Sequence, residues 1–192
     1  IKFVFNNYIY FFLDRFNFFY IIKIRMNEQA LVIIKPDGLI KSLTGSILTK
    51  LSEAKLYIIG AKVVRPTRKL ARKHYAHMQD KPFFEEIIKY ICGDIHKTRR
   101  VLAFVYQGDN AIAKLRKISG VTNPEEAAPT TIRGAYGRIT TKGVYENVLH
   151  VSSTPKEAEH EIKLWFSPSE IVYDIYPTKK VVKDRFILKE WL

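Results

Sequence analysis

Cysteine is nearly absent: Cys92 is the only one in 192 residues. A lone thiol closes no intrachain disulfide and builds no cysteine-cluster metal site, which excludes a disulfide-stapled secreted scaffold and a zinc ribbon. A reducing, cytoplasmic setting fits that usage. Acidic residues are scarce beside basic ones, 19 Asp and Glu against 32 Lys and Arg. The net charge of +13 favours anionic partners without choosing among nucleotides, nucleic acid and acidic lipid. Long apolar runs are also missing. The uncharged stretch Phe3 to Leu13 is 11 residues and contains Asn6 and Asn7, whereas a spanning helix needs about 20 apolar residues. Neither G-x-x-x-x-G-K-[ST] nor G-x-G-x-x-G occurs, so any phosphate site is built without a P-loop or a dinucleotide fingerprint.

What is present divides into three parts. Residues 1–25 hold ten of the chain's 25 aromatics, a composition that stops abruptly before Met26. Ile21-Ile22-Lys23-Ile24-Arg25 offers none of the small residues of a signal-peptide cleavage site. The segment reads as an extension outside the native domain, translated from upstream reading frame, with Met26 as the natural start; a membrane-surface anchor is the alternative. Residues 26–170 carry the regular patterning, at a length sufficient for one domain with its own core. Residues 171–192 form a basic tail with Trp191 near its end, which the sequence alone does not place.

Gln29 to Ile34 is an apolar run stopped by Lys35-Pro36-Asp37-Gly38, a buried strand leading into a turn. Thr44 to Lys55 puts Ile47, Leu48, Leu51 and Ala54 on one helical face, and Leu56 to Val64 is strand-like with Gly60 as a bulge candidate. A basic helical stretch follows Pro66 through His77. A second helix, opened by Pro82, has the stripe Phe84, Ile87, Ile88 and Ile91, with Phe83 lying about 90° from the stripe's centre. Val101 to Tyr106 is a third strand, followed by a helix with Asp109 as N-cap and Gly120 as stop. Gly120 to Glu146 is too long for an idle connection and mixes turn formers with apolar anchors, which argues for an ordered, functional loop. Asn147 to Val151 is the fourth strand. Thr154-Pro155-Lys156-Glu157 is a capping box opening a helix that buries Ala158, Ile162, Trp165 and Phe166. The order predicts an α+β, ferredoxin-like βαββαβ sandwich with an inserted helical pair and a long ordered loop before the last core strand.

Among five histidines, His74 and His77 are three apart, a spacing able to ligate metal but lacking a third partner, so a solvated face is the expectation. His150 sits at a strand end between Leu149 and Val151, a few residues before a helix N-terminus; on pattern alone it reads as a structural histidine.

Six motifs then change that reading. Leu31 to Gly38, His74-Tyr75, Lys81-Pro82-Phe83-Phe84, Thr122-Asn123-Pro124, Thr131-Ile132-Arg133-Gly134 and Asn147-Val148-Leu149-His150 occur in order. Over about residues 28–170 the chain resembles the nucleoside diphosphate kinase family. The resemblance implies transfer of a γ-phosphoryl group from a nucleoside triphosphate, mainly ATP, to nucleoside diphosphates through a phosphohistidine at His150. Neutral imidazole suits this, since it is a nucleophile near pH 7 without a separate base. By the same resemblance Lys35 contacts the transferring phosphate and the ribose, Tyr75 lies beside the histidine, and Arg116, Thr122 and Arg133 hold the phosphates. Asn147 bonds the sugar, Phe83 stacks on the base, and Glu161 with Ser152 orients the imidazole. Taken singly, each has a plainer reading: Lys35 and Arg116 as surface cations, Arg133 as an internal anchor of the long loop, Phe83 as core rim, Glu161 as a solvated helix charge.

The resemblance further implies Mg²⁺ held by the nucleotide phosphates with few or no direct protein ligands, a homo-oligomer (tetramer or hexamer), and little base selectivity, because every base offers a π-face. Membrane and nucleic acid are not expected partners. Four positions depart from the family pattern: Val151 for a small residue, Ser153 for aspartate, Ala135 for an acid, and a few extra residues in 137–146. The rival reading is a weakly active member that binds nucleic acid or acts as a scaffold through its positive charge. Against it, Arg65, Arg68, Lys69, Arg72 and Lys73 form a basic run without interleaved aromatic platforms.

Overall fold

The computed structural model describes residues 27–141 and 143–180 and, ahead of them, the backbone of three strands: β1 (Lys2–Phe5), β2 (Tyr8–Leu13) and β3 (Phe18–Lys23). Met26 and Trp191 lie outside the described residues. The chain continues with β4 (Glu28–Ile34), α1 (Pro36–Ile40), α2 (Thr44–Ser52), β5 (Tyr57–Val64), α3 (Arg68–His74), α4 (Phe84–Ile91), β6 (Val101–Gly108) and α5 (Ala111–Ser119). Then come α6 (Ile132–Tyr136), β7 (Arg138–Ile139), β8 (Tyr145–Glu146), β9 (Leu149–Val151) and α7 (Pro155–Trp165).

The apolar run of β4 makes it an interior strand. Its neighbours are β6, with Val32 opposite Phe104, and β9, with Ile33 opposite His150; β5 pairs outside β6, giving the antiparallel order β5, β6, β4, β9. That is the ferredoxin-like βαββαβ arrangement. Ala30, Leu31, Val32, Ile33 and Ile34 are all fully buried, so both faces of β4 are covered. Helix α2 packs with α5 and α3 with α7, while α5 and α7 both reach β4. Burying each large aliphatic of this strand contributes about 1.5–3 kcal/mol. Truncating Ile33 to alanine would cost about 2–5 kcal/mol through the cavity left behind.

Several sequence expectations are modified in detail. The bulge in β5 is present, where the register with β6 shifts between Ile58 and Gly60. The helix predicted through His77 stops at His74 and continues as a 3-10 turn over Ala76–Met78. Pro82 precedes α4 rather than opening it, and Phe83 occupies the N-cap position. The N-cap of α5 is Asn110, in the left-handed region at φ 53°, not Asp109; Asn tolerates that region better than most residues. Only half of the capping box at α7 forms. Thr154 accepts from the Glu157 N–H as expected, but the Glu157 carboxylate accepts from the Ser153 N–H and hydroxyl instead of from Thr154.

The long loop is ordered, as its composition implied: it contains α6 and the β7–β8 hairpin. Gly120, φ 83°, ends α5 against the loop, where any side chain would meet Thr131 Oγ1 at 2.3 Å. The first part of the tail docks back on the sheet edge: Val172 N–H donates to the Ile59 carbonyl at 2.9 Å and Lys62 pairs with Glu170 at 2.7 Å. In the extension, β1, β2 and β3 pair with one another and, among the described residues, with no strand of the four-stranded sheet.

Candidate active site

Where β4 ends, Lys35 leaves the sheet and Pro36 starts α1, and both flanks of this turn hold the backbone of Val148. The Lys35 N–H donates to the Val148 carbonyl at 2.8 Å, and the Val148 N–H donates to Asp37 Oδ2 at 3.1 Å. Val148 sits at φ 56°, a costly conformation for a β-branched residue that persists only where the surroundings enforce it. The clamp therefore sets the direction in which the chain enters β9 and presents His150 two residues later.

Lys35 is buried, with Nζ donating to Asn147 Oδ1 at 2.7 Å and lying 5.1 Å from the Tyr90 ring centroid. Burial lowers its pKa to about 8, against the opposing pull of Asp37. Asn147 uses its amide N–H to hold the Thr122 carbonyl at 2.9 Å, which ties the long loop to the end of β4. The Tyr90 hydroxyl faces the Asp37 carboxylate, and burial followed by that charge keeps it protonated.

His150 Nε2 lies 2.9 Å from Glu161 Oε1, on an oblique approach that falls short of an aligned hydrogen bond. Among the described residues its Nδ1 has no hydrogen-bond partner, and the side chain is 19% exposed. Desolvation, then Lys35 and Arg133, drive the imidazole pKa down to about 3, so the ring is neutral at physiological pH. Glu161 arrives from α7, whose buried residues Ala158, Glu161, Ile162 and Trp165 follow helical spacing. Its second oxygen accepts from the Ser152 hydroxyl at 2.5 Å, and that hydroxyl in turn accepts from the Leu31 N–H at 3.0 Å. Burial pushes the Glu161 carboxyl upward.

His74 is the site residue that sequence reasoning misplaced. It is buried, not part of a solvated face: its ring meets His150 edge-on at 4.5 Å, its Nδ1 accepts from Trp165 Nε1 at 3.2 Å, and Nδ1 is 3.8 Å from Glu161. The available signal was its position on the buried face of α3 beside Ala71. Asp37 was likewise read only as part of a turn. Tyr75 is buried with its ring 4.6 Å from that of His74, and burial holds its hydroxyl protonated.

Arg133, from α6, donates to the Gly120 carbonyl at 2.6 Å and the Leu149 carbonyl at 3.2 Å, while its Nε is buried without a partner. It thus anchors the loop, and desolvation followed by repulsion from Arg116 lowers its pKa to about 10. Arg116, Thr122 and Phe83 are on the surface, Phe83 at 50% exposure. Lys35, Tyr75, Arg133, Asn147, His150, Ser152 and Glu161 therefore converge on one end of the sheet as a mostly buried group.

Among the described residues, the group whose donor atoms lie close enough to share a metal ion is His74, His150 and Glu161. Two imidazole nitrogens suit a transition metal better than Mg²⁺, which prefers oxygen.

Residues 28–171 match the family model for nucleoside diphosphate kinase. A nucleoside diphosphate kinase from Thermococcus kodakarensis is 42% identical over 144 residues, spanning 75% of this chain and 79% of that protein. The nucleoside diphosphate kinase structure from Aquifex aeolicus aligns with a TM-score of 0.67 at 36% identity, covering 76% of this chain and 99% of that one. A Borrelia burgdorferi nucleoside-diphosphate kinase, solved as a transition state mimic with vanadate and ADP, aligns at 0.68 and 29% identity over 81% and 94% of the two chains. The buried histidine and the cations around it are thus carried by a chain that belongs to the nucleoside diphosphate kinase family of phosphotransferases.

Proposed function

We propose that this enzyme moves a γ-phosphoryl group from a nucleoside triphosphate, mainly ATP, to nucleoside diphosphates through a phosphohistidine at His150, in two ping-pong displacements. One observation carries the reading: a neutral His150 with Nδ1 free and Nε2 backed by the Glu161 carboxylate. The Nδ1 lone pair attacks the γ-phosphorus, the bond to the β-phosphate oxygen breaks with its electron pair leaving on that oxygen, and the diphosphate departs. The second diphosphate attacks with a terminal oxygen, the P–N bond breaks, and the imidazole is restored. Nε2 keeps its proton throughout, and Glu161 stabilises the positive charge that the ring acquires. The Borrelia relative's vanadate and ADP support a site that binds such a transition state.

Lys35, Arg133 and Arg116 supply the positive charge that phosphoryl transfer requires from its surroundings. Two Arg133 donors rest on backbone carbonyls, and among the described residues its buried Nε has no hydrogen-bond partner. Thr122 joins the phosphate contacts, Asn147 and Lys35 reach the sugar, Phe83 covers the base, and Tyr75 with Ser152 steadies the histidine and Glu161. Mg²⁺ fits a cation-rich site of this kind when carried by the phosphates themselves, where it neutralises their charge. Retention of the whole group favours catalysis over the scaffold reading.

The homo-oligomer, a tetramer or hexamer, is supported by the edge strand β5, whose Tyr57, Ile58 and Val63 are exposed apolar side chains. A cytoplasmic location rests on the single, unbonded Cys92. Among the described residues no helix is long and apolar enough to cross a membrane.

The test is incubation with γ-labelled ATP. Acid-labile label should appear on the protein, chase onto any added nucleoside diphosphate, and vanish in His150→Ala while nucleotide binding persists. Undiminished acid-labile label in His150→Ala would overturn the assignment.

A further inference from the structure

The sheet end that carries Lys35 also carries a second concentration of positive charge. β5 and β6 meet there, since Val64 pairs with Val101, and Leu102 pairs with Ile34. A cleft of about 830 Å³ opens beside them, lined by Arg65, Arg68, Lys89, Lys97, Arg99 and Arg100, with Asp94 as the sole carboxylate of the lining. Asp94 is engaged by Arg68 at 2.8 Å, and Lys89 reaches Glu86 only at 3.8 Å. Among the described residues, Arg65, Lys97, Arg99 and Arg100 have no acidic partner, and all four are exposed. They are also distinct from the catalytic cations Lys35, Arg116 and Arg133.

The backbone that presents these charges is fixed. Asp94 N–H donates to the Lys89 carbonyl at 3.0 Å and Thr98 N–H to the Gly93 carbonyl at 3.2 Å. The loop between α4 and β6 turns through the left-handed region twice, at Gly93 (φ 77°) and Lys97 (φ 53°), and a side chain at Gly93 would meet the Thr98 carbonyl oxygen at 1.9 Å. Lysine gains nothing from that conformation by itself. Its position brings the Lys97 side chain into the cleft lining. The same loop is braced from behind, where His96 Nε2 meets Glu146 at 2.8 Å beside Asn147.

Like charges gathered within a Debye length repel, and a concave surface concentrates their field. An anion relieves this, and the lining specifies its kind. No aromatic side chain is present, so a nucleobase has no platform on which to stack. Guanidinium groups on several sides instead match several phosphoryl groups at once, each able to take paired N–H donors. We propose that this cleft is a second anion site, separate from the catalytic one, for a short soluble oligophosphate of about three phosphoryl groups. The assignment is independent of the phosphohistidine mechanism.

The experiment titrates the full chain with inorganic tripolyphosphate by calorimetry, without Mg²⁺ and with saturating ADP so that the catalytic site is filled. One tripolyphosphate should bind per chain, more weakly as salt rises. The Arg99→Ala/Arg100→Ala variant should lose affinity by at least about tenfold while its KM for nucleotides stays unchanged. Equal affinity in parent and variant, or loss of all binding once ADP is saturating, would overturn the proposal. A parallel titration with a random duplex DNA separates the nearest rival: duplex binding through Arg99 and Arg100 without tripolyphosphate binding would identify a nucleic-acid surface and overturn it as well.

Discussion

Glu161 Oε1 stands 2.9 Å from Nε2 of His150, while Oε2 of the same carboxylate is held by Ser152. One acid therefore links His150 to the β4 backbone, because the Ser152 hydroxyl accepts from Leu31 N–H. Glu161→Gln preserves shape and an acceptor but removes the charge opposite a ring that, in the proposed transfer, becomes cationic on phosphorylation. If the cationic ring then aligns with Glu161, the difference between a charge-assisted and a neutral hydrogen bond is about 1–2 kcal/mol, so kcat should fall about tenfold with KM little changed. Steady-state kinetics with both substrates varied would show this; an equal loss in KM would point to a purely structural role.

The pH profile should be asymmetric. His150, with its pKa lowered to about 3, is neutral across the working range, so no acid limb from this residue is expected above about pH 5. Lys35, lowered to about 8 by burial, loses its charge above that pH, and kcat/KM should decline there. Lys35→Arg should move the alkaline decline upward, since guanidinium stays charged. Stability has the opposite sign of pH dependence. Burial holds both His150, at about 3, and His74 below the ordinary histidine range, so the unfolded chain binds more protons and stability is lost as pH falls below about 6.5, for His150 down toward 3. For Glu146, burial pulls the pKa up, but Arg138, His96 and Lys41 outweigh it and hold it at about 2. Its contribution is present above about 4.5 and lost below. Urea midpoints between pH 7.5 and 4 would check this.

The sheet was legible because β4 has no polar interruption and the helices on either side keep a clean 3.6 period. Glu161 illustrates a site residue written into that period: an acid within the buried stripe of α7. The errors arise where geometry is decided by distant partners. His74 resembles a surface histidine in a basic helix, but its buried ring meets Trp165, Glu161 and His150, all far along the chain. Asn110 replaces Asp109 at a cap because the chain turns left-handed there, a preference both residues share. Arg133 bears out its plainer reading as an internal anchor of the long loop, donating to the Gly120 and Leu149 carbonyls. The basic run Arg65 to Lys73 is part solvated face, with Arg72 paired to Glu85 at 2.7 Å, and part cleft.

Phe83 is half-exposed and outside the core stripe of α4. Phe83→Ala should therefore leave stability within about 0.5 kcal/mol of the parent, while raising KM for all nucleoside diphosphates by a similar factor, with a loss of about 1–3 kcal/mol. A base-selective loss would instead reveal hydrogen-bond readout of the base.

Residues 1–25 contribute no strand to the four-stranded sheet among the described residues. A chain starting at Met26 should keep the activity and thermal midpoint of the full chain. Loss of vesicle association on truncation would favour the membrane-anchor reading of this segment.

Val151 and Ser153, beside His150, should tune the enzyme without disabling it. Val151 is buried in the core opposite Val32, so Val151→Gly removes packing and adds backbone freedom, costing about 1 kcal/mol or more of stability. Ser153 points its hydroxyl and N–H at the Glu157 carboxylate, so a carboxylate already stands next to position 153. Ser153→Asp would place a second negative charge against Glu157, favoured by the N-terminus of α7 but opposed by the neighbour. An acid acting on a nucleotide-borne cation through water contributes modestly, and the shift in Mg²⁺ dependence should stay below about tenfold. Measuring kcat/KM against Mg²⁺ concentration for both variants tests this. A gain of several hundredfold in either would mean that Val151 or Ser153 cripples the parent site, and would revive the scaffold reading.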